Sequence, residues 1–292
     1  MKLSFLGLPD HPKARVALIP VPFELTTTWL KGTKEAPFEI LKVSAQLEFF
    51  DEETRSSPQE DLGFYTYPLE EFPLNVHKAL EKIEDLTHRA LKEKFFPILV
   101  GGEHTITYGA VKALKAYYPD LKVLHLDAHL DFRKTYLEDE FNHATVLRKI
   151  YELSIPTLSV GIRAISKEEF EEAEFLGLSI IYSYEIYNSF ERVLKKIEEF
   201  LKEGSIYLTL DMDVLDPSLA PGVGTPEPGG LLWFQILEIL KRVSQAKIVG
   251  LDIVETRPIS GYPFTEFLAA KIIYKFSAYL TVYNKWIKKS ES

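Results

Sequence analysis

Short aliphatic segments, each about as long as a β-strand, recur along the chain, and amphipathic stretches separate most of them. Because each segment is apolar at consecutive positions, we expect it to be buried on both faces, as strands of a parallel sheet are. The segments are ARVALIPV, FPILVGG, LKVLHLDAH, TLSVGIR, LSIIYSY, SIYLTLDMD and AKIVGLDIVE. Strands that alternate with helices predict an α/β fold, with a parallel sheet covered by helices on both faces.

Helical periodicity is found in the stretches between and after these segments. The predicted helices cover residues 75–94, 105–118, 167–175, 190–202, 232–243 and about Phe264 to Ile287. Residues 51–73 are polar and contain proline, so we interpret them as a surface excursion, and we interpret the Pro- and Gly-rich residues 220–230 as a loop. No linker or repeat divides the chain, and we therefore expect a single domain over residues 1–292.

The composition excludes several classes of function. A formal net charge of −9 weighs against a nucleic-acid partner, because phosphate binding needs clustered Lys and Arg, and it suits a cationic substrate or a metal ion. The absence of Cys excludes disulfides, thiolate ligands and a Cys nucleophile. We find no signal peptide and no apolar run of membrane-spanning length, so we expect a cytoplasmic protein without a membrane partner.

Acidic residues and histidines lie where four of the predicted strands end. They are Glu103 and His104, then Asp127, His129 and Asp131, then Asp211 and Asp213, and finally Asp252 and Glu255. The carboxyl ends of parallel strands form the edge of the sheet at which ligands bind. Within the second and third groups the spacing is two residues, which predicts that their side chains project from one side of an extended chain.

Carboxylates gathered at one edge repel each other, and burying each without a partner would cost several kcal/mol. Few basic residues apart from Arg133 are near in sequence, so metal ions are the better source of positive charge. Carboxylates with a minority of imidazoles and no thiolate suit Mn²⁺, with Co²⁺, Fe²⁺ or Mg²⁺ as alternatives. Six ligands suit two ions, and two ions would hold a bridging water and lower its pKa.

Two neighbouring residues have simpler interpretations. Asp216 precedes Pro217, and an acid in that position most often forms a turn. His125 lies inside a predicted strand, which favours a place in the core or beside a ligand over a role as a ligand.

Three motifs, GGEH at 101–104, DAHLD at 127–131 and LDMDVLDP at 210–217, resemble the metal motifs of the ureohydrolases, the arginase and agmatinase family. The resemblance continues in residues 21–37, 220–231 and 249–255 and so covers nearly the whole chain. It implies a three-layer α/β/α fold, of the arginase and deacetylase type, with a central, mostly parallel sheet of about eight strands. It also implies a binuclear manganese centre and assembly into homo-trimers or hexamers.

The resemblance assigns roles to residues of this chain. The implied ligands are His104, Asp127, Asp131 and Asp211 for one ion and Asp127, His129, Asp211 and Asp213 for the other. Glu255 would bind the substrate guanidinium, His143 would bind substrate and transfer protons, and Asp131 would orient the nucleophile. The implied reaction is attack of a metal-bridging hydroxide on a guanidinium carbon, which releases urea and an amine.

The segment PFELTTTWLKGTKEAP resembles agmatinases more than arginases, and Ser166 stands where arginases carry an acid for the substrate α-amino group. We therefore expect agmatine or aminopropylagmatine as substrate and putrescine or spermidine as product, in polyamine biosynthesis. Glu24, Ala144 and Gly261 depart from the agmatinase pattern. The acidic residues Glu138–Glu140 could attract a polyamine-like tail or could be a solvated charge run.

Two other interpretations stay open. Arginine, guanidinobutyrate or formiminoglutamate would fit the same metal core, and a substrate with a carboxylate would favour a role for Arg133. A non-catalytic family member would be marked by the loss of a metal ligand, but all six ligands are present.

Overall fold

The structure is a computed structural model that describes residues 3–284. The strands are β1 (Val16–Val21), β2 (Phe64–Thr66), β3 (Phe96–Gly101), β4 (Leu121–Leu126), β5 (Thr157–Ile162), β6 (Ser179–Tyr182), β7 (Ser205–Asp211) and β8 (Ile248–Val254). All the strand pairs are parallel, and the strands form one sheet in the order β2-β1-β3-β8-β7-β4-β5-β6. The predicted parallel sheet is confirmed.

Ten α-helices are present in the described part of the chain. They are α1 (Ala36–Ser44), α2 (Pro58–Asp61), α3 (Val76–Lys92), α4 (Ile106–Tyr117), α5 (Val146–Glu152), α6 (Lys167–Leu176), α7 (Ser183–Asn188), α8 (Phe190–Leu201), α9 (Trp233–Gln245) and α10 (Phe264–Tyr283). No helix within residues 3–284 combines the length and the apolar character that a membrane span requires.

Alternating side chains of the strands pack on opposite faces of the sheet, as the period of two residues requires. In β1, Val16 and Leu18 belong to one hydrophobic core and Ala17 and Ile19 to another. The first core packs against α1, α8, α9 and α10, and the second against α3, α4 and α5. The sheet therefore lies between two helical layers, and the three-layer α/β/α architecture is confirmed.

All six predicted helices are present, with ends close to the predicted ones. Local capping explains the sharpest of these ends. The Asn75 side chain accepts a hydrogen bond from the Lys78 amide at the start of α3. Gly177, with a φ of 66°, caps the end of α6. The last predicted helix is observed as far as Tyr283, and its predicted continuation to Ile287 lies outside the described residues.

The sequence interpretation missed several short elements. Residues 51–73 are not only a surface excursion, because they contain α2 and the edge strand β2, which pairs with β1. Three residues are too few to show a periodic pattern. The helices α1, α5 and α7 were not predicted either, and α7 begins within the segment LSIIYSY that was assigned to a strand. Propensity decides such short stretches less than packing does.

The four strands that end in acids or histidines are neighbours in the sheet. They are β3, β8, β7 and β4, in this order, at the centre of the eight strands. Their carboxyl ends lie at the same edge because every pairing is parallel. The fold thus brings together side chains that are up to about 150 residues apart in sequence, such as His104 and Glu255.

Candidate active site

The predicted ligands converge, but not through the alternation of an extended chain. Strand β4 ends at Leu126, and Asp131 has a left-handed backbone with φ of 53°. Asp213 lies in a 3-10 turn, Met212–Val214, directly after β7. The prediction that two-residue spacing aligns these side chains was therefore wrong. Left-handed backbone at a non-glycine residue is strained and persists only where the surrounding structure holds it, as the amide of Leu147 holds the Asp131 carbonyl at 3.1 Å.

A first group of ligands surrounds the imidazole of His104. Its Nδ1 lies 3.0 Å from Asp127 Oδ2, 3.2 Å from Asp131 Oδ2 and 3.3 Å from Asp211 Oδ2. All four side chains are buried. The His104 Nδ1 has no well-directed hydrogen bond to any of these oxygens or to another described residue. A buried nitrogen that faces three carboxylate oxygens in this way is the donor arrangement that a divalent cation requires.

A second group lies beside the first and shares Asp127 with it. The His129 Nδ1 lies 2.8 Å from Asp213 Oδ2 and 3.6 Å from Asp127 Oδ1. Asp127 therefore turns Oδ2 towards His104 and Oδ1 towards His129. Asp127 belongs to both groups, as the resemblance implies, whereas the described contacts place Asp211 beside His104 and not beside His129.

Hydrogen bonds fix the orientation of these carboxylates. The His129 amide donates to Asp127 Oδ1 at 2.6 Å, and the Asp213 amide donates to Asp211 Oδ1 at 2.8 Å. His125 Nε2 lies 2.9 Å from Asp127 Oδ2, and its Nδ1 lies 3.0 Å from Ser159 Oγ. Both nitrogens of His125 are used, so it supports Asp127 from the core as the sequence indicated.

A buried chain of hydrogen bonds orients His104 from the interior of the protein. The Thr209 hydroxyl donates to Asp252 Oδ1 at 2.6 Å, and it lies 2.9 Å from His104 Nε2. Since Thr209 has one proton and Asp252 receives it, Thr209 must accept from His104 Nε2–H. In neutral His104 the lone pair is then on Nδ1, where it faces the three carboxylates. Thr107 and Tyr207 donate to the other oxygen of Asp252, at 2.8 and 2.7 Å.

Without cations this cluster must hold protons. Burial raises the pKa of Asp211 well above its usual value, and the charges of Asp213 and Asp127 raise it further. Burial and Asp127 likewise raise the pKa of Asp131 to about 6. Burial lowers the pKa of His104, but its three carboxylate neighbours raise it well above the usual range. A divalent cation removes this repulsion, so four carboxylates and two imidazoles fit a pair of such ions.

A cavity of about 350 Å³ opens beside the two groups, and Glu255 and His143 are in its wall. Glu255 follows β8 with a left-handed backbone, φ 61°. Its Oε1 accepts a hydrogen bond of 2.7 Å from the His104 amide, while Oε2 has no donor among residues 3–284. Burial raises the pKa of Glu255 well above its usual range, the His104 amide opposes this, and the charge of Glu103 adds to it. A cationic partner would hold this carboxylate in its ionised form.

His143 is attached to the same edge of the sheet through Thr26. Its amide donates to Thr26 Oγ1 at 3.1 Å, and Thr26 in turn donates to Glu103 from its amide and its hydroxyl. The His143 Nε2 is buried without a hydrogen-bond partner in the described chain. Burial lowers the pKa of His143 to about 4, and the positive charges of His129 and His104 contribute. The imidazole is therefore neutral near pH 7.

Residues outside the predicted set also shape the site. The guanidinium of Arg163 donates to the carbonyl oxygens of Asp213 at 2.6 Å and of Glu227 at 2.8 Å, so it joins the end of β7 to the loop at 220–230. In the sequence, Arg163 was noted only as the last residue of the predicted strand segment TLSVGIR. A basic residue directly after a buried strand was the available signal. Glu169 and Glu227 also line the cavity; Glu169 belonged to no motif, and Glu227 lies in the resembling segment 220–231 but was not singled out.

The acidic loop does not form the wall of this cavity. Arg133 and Tyr136 line it, whereas Glu138–Glu140 do not. Glu140 instead lies 3.3 Å from Lys149 Nζ. The hypothesis that these three acids attract the substrate tail therefore has no support from the cavity.

The three departures from the agmatinase pattern have separate outcomes. Glu24 accepts hydrogen bonds from the Thr27 hydroxyl and the Gly32 amide, so it closes the loop between them. Ala144 lines the cavity. Gly261 has a φ of 75°, a conformation that favours glycine over the aspartate common there.

Fold and site together define a class of α/β proteins that carry a carboxylate- and histidine-rich candidate metal site at the carboxyl edge of a parallel sheet. The model of the arginase family matches residues 14–278, and the chain belongs to this family of ureohydrolases. An N(1)-aminopropylagmatine ureohydrolase of Synechocystis is 36% identical over 282 residues, which cover 94% of this chain and 91% of that protein.

Two further relatives support the same family. An agmatinase of Bacillus anthracis is 33% identical over 266 residues, which cover 88% of this chain and 89% of that protein. The crystal structure of the agmatine ureohydrolase of Thermoplasma volcanium is 33% identical and superimposes with a TM-score of 0.88, covering 97% of this chain and 95% of that one. The chain is therefore an enzyme, a hydrolase of the arginase family, and the alternative of a non-catalytic protein is set aside.

Proposed function

We propose that this enzyme hydrolyses a guanidino amine, agmatine or aminopropylagmatine, to urea and putrescine or spermidine, in polyamine biosynthesis. The observation that carries the proposal is the buried carboxylate of Glu255 beside the carboxylate and histidine groups, in the wall of one cavity. Relatives named for these two substrates support the substrate class.

We assign two divalent cations, Mn²⁺ first, to the two ligand groups. The proposed ligands are His104, Asp127, Asp131 and Asp211 for one ion and Asp127, His129, Asp211 and Asp213 for the other. When bound, the ions would supply positive charge against the reacting group and bring the pKa of a water molecule towards neutrality. The ligand chemistry supports Mn²⁺ over Mg²⁺, because imidazoles shift the preference towards transition metals.

Glu255 orients the substrate in this proposal. A guanidinium is planar and presents parallel N–H donors, which a carboxylate binds in a charge-assisted pair. The Glu255 Oε1 is fixed by the His104 amide, and Oε2 has no donor among the described residues. A bound guanidinium would therefore be held beside the ligand groups, and the ion pair would return the Glu255 carboxyl to its ionised form.

Two residues would orient the attacking water and transfer protons. Asp131 would accept a hydrogen bond from the attacking water and fix its orientation towards the guanidinium carbon. His143 Nε2 would take up a proton and pass it to the leaving amine, because this buried nitrogen has no hydrogen-bond partner in the described chain. Burial keeps the His143 imidazole neutral near pH 7, so it can accept a proton, and an imidazolium is a stronger acid than the ammonium form of the leaving amine.

The cavity favours an amine over an amino acid or another carboxylate-bearing substrate. Ser166 donates to Glu169 at 2.9 Å as part of the cap of α6, so no acid stands at this position for an α-amino group. Arg133 lies 3.6 Å from Glu169 and over the ring of Tyr136. Its charge is balanced within the protein, which leaves it a weak site for a substrate carboxylate.

Urea release over a panel of guanidino compounds tests the proposal. The protein is reconstituted with Mn²⁺, and kcat/KM is measured for agmatine, aminopropylagmatine, arginine, guanidinobutyrate and formiminoglutamate. We expect the two amines to be preferred, and chelated protein to be inactive until Mn²⁺ is returned. A strong preference for arginine would reject both amines, and no urea from any compound would reject the assignment.

Assembly and location complete the proposal. We assign a homo-oligomer, a trimer or a hexamer, in the cytoplasm. Large apolar side chains remain exposed on this chain, among them Trp29 at 71% and Phe234 at 78%, and are available for contact between copies. Sedimentation equilibrium of the reconstituted protein measures the assembly, and a monomer at micromolar concentration would contradict it.

A further inference from the structure

A carboxylate that forms no hydrogen bond and no ion pair with the described residues belongs to a residue in the wall of the active-site cavity. The loop that contains Gly224 and Gly230 contributes Thr225 and Glu227 to the lining. The Glu227 side chain is partly buried, and it makes no hydrogen bond and no ion pair with residues 3–284. The charge of Arg163 acts on it, but no donor of the described chain holds it, and a partly buried carboxylate in the wall of a cavity is suited to a cationic ligand.

The other acids of the cavity have defined tasks. Asp131, Asp211 and Asp213 belong to the ligand groups, and Glu255 lies next to His104. The remaining acid, Glu169, is occupied on both oxygens. Its Oε1 accepts from the Phe132 amide at 3.0 Å, and Oε2 accepts from Ser166 and lies near Arg133. Among the described residues, Glu227 is thus the acidic residue of the cavity wall that remains available to bind a second positive charge on the substrate.

Arg163 is the cation whose charge acts on Glu227, but its described contacts include no ion pair with the Glu227 carboxylate. The guanidinium of Arg163 directs Nε and Nη2 at the Glu227 carbonyl oxygen, at 3.1 and 2.8 Å. Its other hydrogen bonds go to the carbonyl oxygens of Gly161, Asp213, Val214 and Leu215. Arg163 therefore fixes the backbone of Glu227 relative to Asp213, and its hydrogen bonds do not use the Glu227 carboxylate.

The loop around Glu227 is rigid. Pro226 and Pro228 flank the residue, and proline fixes its own φ and restricts the residue before it. At the far end, the amides of Gly229 and Gly230 donate to Asp216 Oδ2 at 2.9 and 3.3 Å. A side chain on such a loop loses little conformational entropy when it binds a ligand.

The spacing suits a diamine-like substrate. A Cβ on Gly224 would lie 3.9 Å from Glu255 Oε2, so the loop passes beside the proposed guanidinium position at this residue. Glu227 follows Gly224 by three residues, so the Cα atoms of these two residues are at most about 11 Å apart. Four methylene groups separate the two ends of agmatine by roughly 6 Å between nitrogen atoms when extended. One molecule can therefore reach from Glu255 towards Glu227.

We propose that the Glu227 carboxylate binds the distal ammonium group of the substrate and selects guanidino compounds with a second positive charge. This inference rests on the proposed function, since it concerns the same cavity. Glu255 holds the guanidinium end, and Glu227 receives the other end of the chain. In aminopropylagmatine the inner secondary ammonium takes this place and the aminopropyl group extends past it.

The variant Glu227→Gln tests the proposal, because it keeps the shape of the side chain and removes its charge. The substrates are agmatine and n-butylguanidine, which keeps the four-carbon chain and lacks the distal ammonium. For agmatine we expect kcat/KM to fall about 10- to 50-fold, mainly through KM, as for a lost charge-assisted hydrogen bond. For n-butylguanidine we expect a change of less than twofold. Equal losses on both substrates, or no loss on either, would overturn the proposal.

Two further variants define the result. Glu138→Gln removes a charge from an exposed residue outside the cavity lining, and it should leave both substrates unchanged. Glu227→Lys reverses the charge and should raise kcat/KM for 4-guanidinobutyrate relative to agmatine. If this ratio does not rise, the charge at residue 227 does not select the substrate.

The two proposals fail in different ways. Wild-type protein that releases no urea from any guanidino compound contradicts the proposed function. Wild-type protein that hydrolyses agmatine, together with a Glu227→Gln variant of unchanged preference, contradicts only the role of Glu227.

Discussion

Two buried groups of charged side chains in this protein balance their charge in opposite ways. At the carboxyl edge of the sheet, four aspartates surround two histidines, and no Lys or Arg of residues 3–284 forms an ion pair with them. At the other group, Lys275 of α10 lies 2.8 Å from Asp51 and 3.0 Å from Glu53. Both Lys275 and Asp51 are fully buried or nearly so.

The difference shows which buried charges support structure and which serve a ligand. The Lys275 group contains its own cation, and Glu53 receives further hydrogen bonds from Lys241 and Tyr279. It fastens residues 51–53 to α10 and needs nothing from solution. The group around Asp127 holds more negative charge than the protein balances, which is unfavourable in the free chain. Such an imbalance is expected where a metal ion supplies the missing charge.

The largest expected effect comes from Asp211→Ala. Loss of this proposed ligand should remove bound Mn²⁺ and lower kcat/KM about 10⁴-fold or more, since several kcal/mol of stabilisation are lost and each 1.36 kcal/mol is tenfold. Metal content after dialysis and urea release are the two measurements. The metal-free variant should unfold no more easily than metal-free wild type, because one repelling carboxylate has gone. Full metal occupancy with full urea release would contradict the ligand assignment.

Glu255→Gln separates substrate binding from metal binding in the same cavity. The variant should keep two ions per chain and lose about 10²- to 10³-fold in kcat/KM, because the amide no longer forms a charge-assisted pair that binds and orients the guanidinium group. Metal analysis on the protein used for kinetics provides the control. Wild-type turnover by this variant would remove Glu255 from the mechanism.

Lys275→Met tests the opposite side of the comparison. It leaves Asp51 buried without its cation, and we expect the free energy of unfolding to fall by about 3 kcal/mol. Urea denaturation measures this change, and the folded variant should bind Mn²⁺ and release urea as wild type does. Lys271→Met, on the same helix and partly exposed, is the matched control with an expected change below about 0.5 kcal/mol. Loss of metal affinity in Lys275→Met would show that the two groups are not independent.

Asp252→Asn tests the chain of hydrogen bonds that orients His104. The asparagine can turn an amide donor towards Thr209, which then no longer has to accept from His104 Nε2. We expect Mn²⁺ affinity to fall about 10- to 100-fold, as is typical when the partner of a ligand is changed. Titration calorimetry of the metal-free protein measures it. Since a merely structural role would lower stability alone, unchanged Mn²⁺ affinity with a lower unfolding temperature would refute this orienting role.

Asp252 also shows where sequence reasoning reached its limit. Its position near the end of a buried strand placed it among the candidate acids, and the parallel fold and the neighbouring strand ends could be predicted in the same way. Its partners could not, because Thr107, Tyr207 and Thr209 come from other elements and only the packed sheet brings them close. The sequence pattern recognises a strand end, but not which side chains meet below it.

The same limit applies to other parts of the site. The extended alternation assumed for Asp211 and Asp213 fails because a 3-10 turn begins directly after β7. The roles of Arg163 and Glu227 depend on carbonyl groups and a cavity that no local pattern contains. The edge strand β2 is three residues long, and pairing with β1 defines it more than its own sequence does.

The smallest expected effect is a pH-dependent one at the Lys275 group. Burial opposes ionisation of Glu53, but hydrogen bonds from Tyr279, Lys241 and Lys275 lower its pKa to about 2. Because the folded-state pKa lies below the unfolded value, the stability that Glu53 contributes is present above about pH 4.5 and is lost as the pH falls towards 2. Glu53→Gln should therefore cost about 1 kcal/mol at pH 7, after screening at this partly exposed side chain, and much less at pH 3.

Chemical denaturation at pH 7, 4 and 3 measures this difference between wild type and Glu53→Gln. Glu52→Gln is the matched control, because Glu52 also lies near Lys275, at 3.5 Å, but its side chain is 78% exposed. We expect its effect to be small at every pH. A Glu53→Gln difference that is as large at pH 3 as at pH 7 would mean that packing, and not charge, holds residues 51–53 to α10. The Lys275 group would then no longer be an example of buried charges that the protein balances with its own cations, in contrast to the group that requires metal ions.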